Sequence, residues 1–511
     1  MTSGGLSLAR AAEFVARRPD TAVAWLLGAH VVLWSLVPLL LSANLQLDLA
    51  EDLALGKEWQ LGYWKHPPLP WWIADLAYRI TGQIGAVYWL GPLASVACIY
   101  VVWRFARGLV GPLPAFVVVA ALEGMHFFNY SAVKFSHDQM QLPFWALTGF
   151  FTYRAIAGGK LYDWSLGGAM MALAFWSKYA AFVLGMTIAL VLVFDPDARR
   201  RWRTAGPYAM AVSFLLVMSP NLWWLARYDF LPFRYVDLRA EVAHRWYQYV
   251  TFQFEWIVSQ IFFVLPSIII LGVLFVGAGL RRRGGIEPFT RRFLAALALG
   301  PFLVTTVSAA VLGRSPVPMW GYSLWIFAPL AVLVWFEPAY SGARLRRLVA
   351  VVTAVFVSFL ASYATIERFG PLVRSRPVAS HFPGAELAGI VTAEWRKRTG
   401  MPLRYVSGTA DGFGPGEFAA NNVAVYSPDR PRVIVHGDFR LSPWIAPDDV
   451  RRHGAVVVWQ PTRSGRELPP GLMETFPNLE VQPRLTLKSA SPFARQPVLV
   501  DYAFVPPQGA R

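Results

Sequence analysis

Apolar residues fall in long runs separated by short polar segments. About eleven of these runs approach the roughly 20 residues that a helix needs to cross the hydrocarbon core of a bilayer. They centre near Val31, Ile99, Ala121, Leu147, Met171, Leu190, Phe214, Ile268, Leu303, Phe327 and Val355. The pattern predicts a polytopic α-helical membrane protein with about eleven transmembrane helices in residues 1–365. The first run, Ala22–Leu41, follows Arg10, Arg17 and Arg18, as a signal peptide would. It is long for a signal h-region and no convincing A-x-A site follows, so it reads as a retained span. Beyond residue 365 the pattern changes. Short β-rich runs (LRYVSG, NVAVYS, PRVIVHG and AVVVWQ) alternate with helical patterns at Ala385–Arg398 and Pro447–Arg452. Gly, Pro and Asp punctuate them, so residues 366–511 read as a small soluble α/β domain.

Composition agrees with that division. The 511 residues are 55% hydrophobic and 15% charged, against about 25% charged in a typical soluble domain. Mean hydropathy is +0.40. These values exclude a disordered or fibrous chain and argue against a single soluble enzyme domain. One cysteine, Cys98, excludes a disulfide framework and a Cys-ligated metal site. The net charge of +16 raises the question of nucleic-acid binding, but the positions of the charges answer it. Basic residues alternate between loops: 19 lie in segments assigned to the inside and 9 in loops assigned to the outside, as the positive-inside rule requires. RRRWR and RRRGG are therefore topology signals, and no nucleic-acid partner is expected. An odd number of spans with the N-terminus inside places the C-terminal domain outside.

Several polar groups crowd the outer face. The first outer loop, from Asn44 to about Pro70, holds Asp48, Glu51, Asp52, Glu58, Lys65 and His66. Asp48 and Asp52 are spaced i,i+4 and Asp48 and Glu51 i,i+3, so all three can share one face of a short helix. One reading is a solvated amphipathic helix on the membrane surface. Against it, acids gain nothing from lying beside anionic lipid head groups. Trp64, Trp71 and Trp72 read as an interfacial aromatic belt, and Pro67-Pro68 stiffens the chain beside Lys65 and His66. In the second outer loop Asp138 sits at the mouth of a span beside His137 and Lys134. A carboxylate at that depth must be functional or paired with a Lys or Arg. Lys178 lies at the outer edge of another span, where snorkelling is the alternative to a site role. The fourth outer loop interleaves Arg227, Arg234, Arg239, His244 and Arg245 with aromatics, and Arg314 lies on the same face. Arginine among aromatics suits a phosphate carried on a lipid.

Carboxylates and phosphate-seeking cations on one face are what a transferase using a lipid-phosphate sugar donor needs. A carboxylate deprotonates the acceptor hydroxyl, and fixed cations stabilise the departing phosphate. The alternative is a transporter or lipid flippase. That class places ionisable residues near the bilayer midplane and commonly has paired repeats. No repeat is visible here, and the one acid inside a span, Glu123, reads as half of a buried pair.

Three stretches carry a family resemblance: LDLAEDLALGKEWQLGYWKHPPLPWWI, KFSHDQMQLPFWALTGFFTYRAI and AFWSKYAAFVLG. In order and spacing they resemble the bacterial members of glycosyltransferase family 39. These are protein O-mannosyltransferase-like enzymes, related to the lipid A aminoarabinose transferase and built on the GT-C fold. The likeness covers most of residues 20–330. It implies an inverting inner-membrane transferase, with cytoplasmic N-terminus and periplasmic C-terminal domain. The donor would be a polyprenyl-phosphate-linked sugar, and the acceptor lipid A, lipopolysaccharide core or a similar envelope molecule. By the family pattern Asp48, with Glu51 beside it, and Asp138 are the catalytic acids. Family members often have adjacent Asp-Glu. Here the pair is spaced Asp48-Leu-Ala-Glu51, which leaves open which of the two is the base. Lys65 and His66 occupy the basic position before the prolines. Lys178 and the fourth-loop arginines, Arg234 and Arg239 among them, correspond to donor-phosphate surroundings; Arg314 is a further candidate by its place on the outer face. No cofactor is implied; a divalent metal is compatible with two or three carboxylates, but no dense ligand motif demands one. Neither the sugar nor the acceptor is named by the sequence.

Overall fold

Each of the eleven apolar runs is built around a helix, but the helices fall into two classes. Among the described residues, six are long and apolar enough to cross a membrane: Pro19–Leu41, Ile84–Val110, Gly206–Arg227, Gln248–Phe275, Pro288–Val311 and Gly342–Leu372. Tyr179–Phe194 and Pro196–Arg203 add a seventh if the pair, bent by 76°, is one span. The other runs give Pro112–Glu123 (12 residues), Leu161–Ser177 (17 residues), Ala328–Trp335 (8 residues) and the 22-residue His137–Gly158, whose first turns are polar. Sequence hydropathy does not separate these classes, because a helix apolar all round can be enclosed by its neighbours instead of by lipid. Pro112–Glu123 is such a helix, buried at every position from Ala115 to Glu123. The long helices keep lipid-suited side chains such as Phe254, Phe262 and Leu216 exposed.

The computed structural model describes residues 3–277, 280–374, 378–409, 415–461 and 471–508. Its contacts divide into two units. The first comprises residues 1–36, 89–223 and 233–362, and the second residues 37–88, 224–232 and 363–511. The first unit is the helical bundle. Its core runs through Cys98, Ile99, Val117–Leu122, Trp145, Leu297 and Leu330. Glu123 lies within this bundle and is paired, its Oε2 2.9 Å from His30 Nδ1. A pair so enclosed by apolar helices matches the buried-pair reading of that acid.

The second unit joins the C-terminal segment to the Asn44–Pro70 loop, a partition that a single boundary at residue 365 does not capture. Its sheet places Tyr405–Ser407 between Arg432–Ile434 and Ala455–Trp459, parallel to both. Ala455–Trp459 pairs antiparallel with Val498–Val505, which also receives Glu480–Val481 and Leu485–Leu487. The central strand AVVVW is buried at all five positions, the continuous apolar run expected when both faces are covered. NVAVYS differs from its sequence reading. It is the end of the helix Pro415–Tyr426 and its boundary, not a strand. Phe418, Ala419, Val423 and Ala424 are buried, so the β-branched residues join an apolar stripe already at helical spacing and packing overrides local propensity.

The acid-bearing loop is packed into this unit and is not a surface amphipath. Its helix Leu47–Gly56 buries Leu49, Ala50, Leu53, Ala54 and Leu55 to 1% exposure or less. The Leu45 N–H donates to Tyr426 Oη at 3.1 Å, and Tyr63 Oη donates to Leu55 O at 3.0 Å. Arg432 grips Glu58 with two nitrogens at 2.6–3.1 Å. Lys57 donates to the carbonyls of Arg430 and Pro431, and burial pushes its pKa down to about 7. The helix also lies tight against Leu69–Thr81: a Cβ on Gly56 would stand 2.2 Å from the Trp71 carbonyl oxygen. Gly56→Ala is therefore expected to destabilise the protein by about 1–3 kcal/mol through overpacking. Gly28→Ala, at a helical position with nothing within 4 Å, is the control. Equal melting temperatures for the two variants would refute this account of the helix contact.

Candidate active site

Leu47–Gly56 begins after extended Gln46 (φ −68°, ψ 162°), which places Asp48 in the first turn, where a helix N-terminus favours negative charge. Asp48 is half-buried and makes no hydrogen bond or ion pair among the described residues. Glu51 and Asp52 follow one turn later. Glu51 Oε2 lies 2.6 Å from Lys65 Nζ, with the two side chains only 12% and 16% exposed. Burial raises the Glu51 pKa, and Lys65 offsets only part of that rise. Asp52 is 1% exposed and its Oδ2 has no hydrogen-bond partner. Burial, reinforced by the charges of Asp48 and Glu51, raises its pKa well above the usual carboxylate range. Of three acids on one helix, one is held in an ion pair and one is driven toward its neutral form. Asp48 alone keeps both oxygens unengaged. His66, next to Lys65 at the Pro67-Pro68 corner, is half-buried.

The second acid site lies in the bundle unit. Asp138 sits in the first turn of His137–Gly158, and its N–H donates to the capping Ser136 Oγ. Its Oδ1 is 2.5 Å from Lys178 Nζ, both side chains being 10% exposed. Gln141 Nε2 donates to the same oxygen at 3.4 Å. The partner of Asp138 is thus Lys178, forty residues on, in addition to whatever Lys134 contributes locally. Lys178 does not snorkel. It falls in the extended break (φ −159°, ψ 129°) between Leu161–Ser177 and the next helical turn, and there its ammonium turns inward to the carboxylate. Next to it, Tyr179 Oη meets Asn221 Oδ1 at 3.3 Å and its ring stacks on Phe233 at 5.3 Å.

The arginines fall differently. Arg234 is exposed on the short helix Leu231–Arg239, one residue beyond Phe233. The Arg239 side chain lies outside the described residues. Arg314 is half-buried and tied to backbone: its Nη1 donates to Ala240 O at 3.2 Å, and its own carbonyl accepts from Gln253 at 3.3 Å. Among the described residues, no group of three or more His, Cys, Asp and Glu side chains is arranged to hold a metal ion. Two features were missed by sequence reasoning, the burial that raises the Asp52 pKa and a Glu417–His436 pair from the C-terminal segment. Neither has a signal in local pattern: the first comes from the depth at which Asp52 is buried beside Asp48 and Glu51, and the second joins a helix and a strand end 19 residues apart.

Residues 65–224 match the profile of the dolichyl-phosphate-mannose-protein mannosyltransferase family. That stretch begins at Lys65 and contains His66, Asp138 and Lys178. The chain also superposes on the crystal structure of apo ArnT from Cupriavidus metallidurans with a TM-score of 0.62, covering 96% of this chain and 98% of that one at 13% identity. The superposition shows that this chain has the fold of ArnT, and the profile match is confined to residues 65–224. Among sequence relatives, this chain is 32% identical over 222 residues to the lipid A galacturonosyltransferase RgtD of Rhizobium johnstonii. That alignment takes in 42% of this chain and 44% of the relative, so it spans less than half of either.

Proposed function

We propose that this GT-C protein transfers a sugar from a polyprenyl-phosphate carrier to lipid A or a neighbouring envelope acceptor, at the periplasmic face of the bacterial inner membrane. The observation that carries the reading is Asp48: an unengaged, half-buried carboxylate one turn from the Glu51–Lys65 ion pair. In this reading Asp48 takes the proton of the acceptor hydroxyl as its oxygen attacks the anomeric carbon. The anomeric carbon–phosphate oxygen bond breaks, and polyprenyl phosphate leaves with its charge. Inversion follows from a single displacement. Within the second unit Glu51 holds the Lys65 cation, with His66 next to it, for the donor phosphate. Within the bundle unit Asp138 holds Lys178, and Lys178, Arg234, Arg239 and Arg314 are that unit's own phosphate-seeking set, with Arg314 acting through the backbone it braces. The names of the relatives make lipid A the first acceptor and a uronic acid the first sugar to test.

A transporter is less well supported, because Glu123, an acid buried inside the bundle, is consumed in a pair with His30. Purified protein in nanodiscs, given a polyprenyl-phosphate-linked galacturonate and lipid A, should raise the acceptor mass by one uronic residue. Loss of the gene should remove the same mass from envelope lipids. If neither change occurs with uronate, hexose or pentose donors, the transferase reading fails.

A further inference from the structure

The second unit brings a histidine within electrostatic reach of the Glu51–Lys65 pair. His436 ends the strand Arg432–Ile434 by turning left-handed (φ 52°, ψ 20°) ahead of Gly437, itself at φ 69°. The Val435 N–H, donating to Ser442 Oγ at 2.9 Å, holds the turn. In this conformation His436 engages Glu417 twice: its backbone N–H donates to Oε1 at 3.1 Å and Nε2 lies 2.9 Å from Oε2. The imidazole packs edge-on against Trp64 at 4.9 Å, and Lys65 Nζ stands 5.6 Å from the centre of the same indole. Nδ1 has no partner among the described residues, and the side chain keeps 21% exposure.

The groups facing this ring are Glu417 from Pro415–Tyr426, Glu51 and Lys65 from the acid-bearing loop, and Asp438 on its own turn. Burial and Lys65 oppose its charge, but Glu417 outweighs them and raises the histidine pKa above 6.5. Lys65 is neutralised by Glu51, and Nε2 is committed to Glu417. In its protonated form His436 has a second ring N–H, a charge-assisted donor directed away from its own counter-ion.

We infer that His436, clamped by Glu417 against Trp64, is a substrate contact supplied by the C-terminal segment, donating Nδ1–H to an anionic oxygen of the lipid-linked substrate. This rests on the transferase reading for the identity of the substrate, not for the binding of an anion. The anionic oxygen is that of the donor phosphate or of a uronate carboxylate, and two arms of one experiment separate them.

In the first arm, the full chain in nanodiscs is titrated with polyprenyl phosphate and with uncharged polyprenol as control. His436→Asn should weaken polyprenyl phosphate by about 10- to 100-fold, the worth of one charge-assisted hydrogen bond, and leave polyprenol unchanged. Wild-type affinity should fall as pH rises through the raised histidine pKa, and His436→Asn should flatten that profile. Glu417→Gln, which keeps the packing but removes the counter-charge, should move the profile to lower pH. In the second arm, unchanged phosphate binding with a raised KM for a galacturonate donor, but not for a neutral hexose donor, would assign the contact to the carboxylate. If both variants match wild type in both arms, the inference is overturned; should His436→Asn fail to fold, an unshifted Glu417→Gln profile overturns it alone. His436-dependent phosphate binding in a protein that transfers no sugar would instead sink the transferase reading and leave this one standing.

Discussion

Asp48→Asn is expected to lower the turnover number for sugar transfer by about 10²–10⁴-fold, the range for removal of a general base, with little change in donor KM. Asparagine keeps the size and the helix-start position of the side chain but cannot accept the hydroxyl proton. Its neighbours cannot substitute. Glu51 is bound to Lys65 at 2.6 Å, and Asp52 is pushed toward its neutral form by burial. Glu51→Gln makes the comparison informative. It releases Lys65, so it should raise donor KM more than it lowers turnover. The measurement is steady-state kinetics on purified protein whose insertion and melting temperature match wild type. Wild-type turnover in Asp48→Asn, with a large loss in Glu51→Gln, would transfer the base role to Glu51.

Lys178→Ala should be the most damaging single change in the bundle unit. It leaves Asp138 about nine-tenths buried without its counter-charge. Removing one partner of a buried ion pair costs about 3–5 kcal/mol. The expected result is a melting temperature lower by several degrees, together with loss of transfer. Asp138→Asn should destabilise less, since a neutral amide tolerates burial better than an unpaired carboxylate, yet should still abolish transfer. The double variant Lys178→Met with Asp138→Leu separates the two roles. A purely structural pair, replaced by apolar side chains of similar volume, would return both stability and activity. Recovery of stability without activity is the outcome that supports a role at the donor phosphate.

Much of this molecule is legible in its sequence, and the reason is physical. Lipid demands long apolar helices, so the spans around Val31, Ile268 and Val355 are marked by composition alone. A carboxylate beside the bilayer needs a reason to be there, so Asp48, Glu51 and Asp138 stand out without any knowledge of their neighbours. The resemblance of GYWKHPPL and its flanking stretches to a known family identified the fold that the superposition shows. Hydropathy fails where burial is supplied by protein. Pro112–Glu123 is as apolar as a span but only 12 residues long and enclosed by other helices. NVAVYS has strand composition but completes a helical stripe.

What the sequence determined by itself was therefore the class of solvent and the kind of chemistry. Runs of apolar residues set the first, and acids and bases placed at span ends set the second. Only the tertiary structure decided which charge answers which. Lys178 could snorkel or pair, and it pairs with Asp138, because a break in its helix turns the ammonium inward. Asp48, Glu51 and Asp52 look alike on a helical wheel, yet one is unengaged, one is ion-paired and one is buried with its pKa raised. Those states depend on Lys65, on the depth of each carboxyl and on a C-terminal segment that returns Glu417 and His436 to the same helix. Protonation and pairing are set by distance and dielectric in three dimensions, and neither quantity is written in the order of residues along the chain.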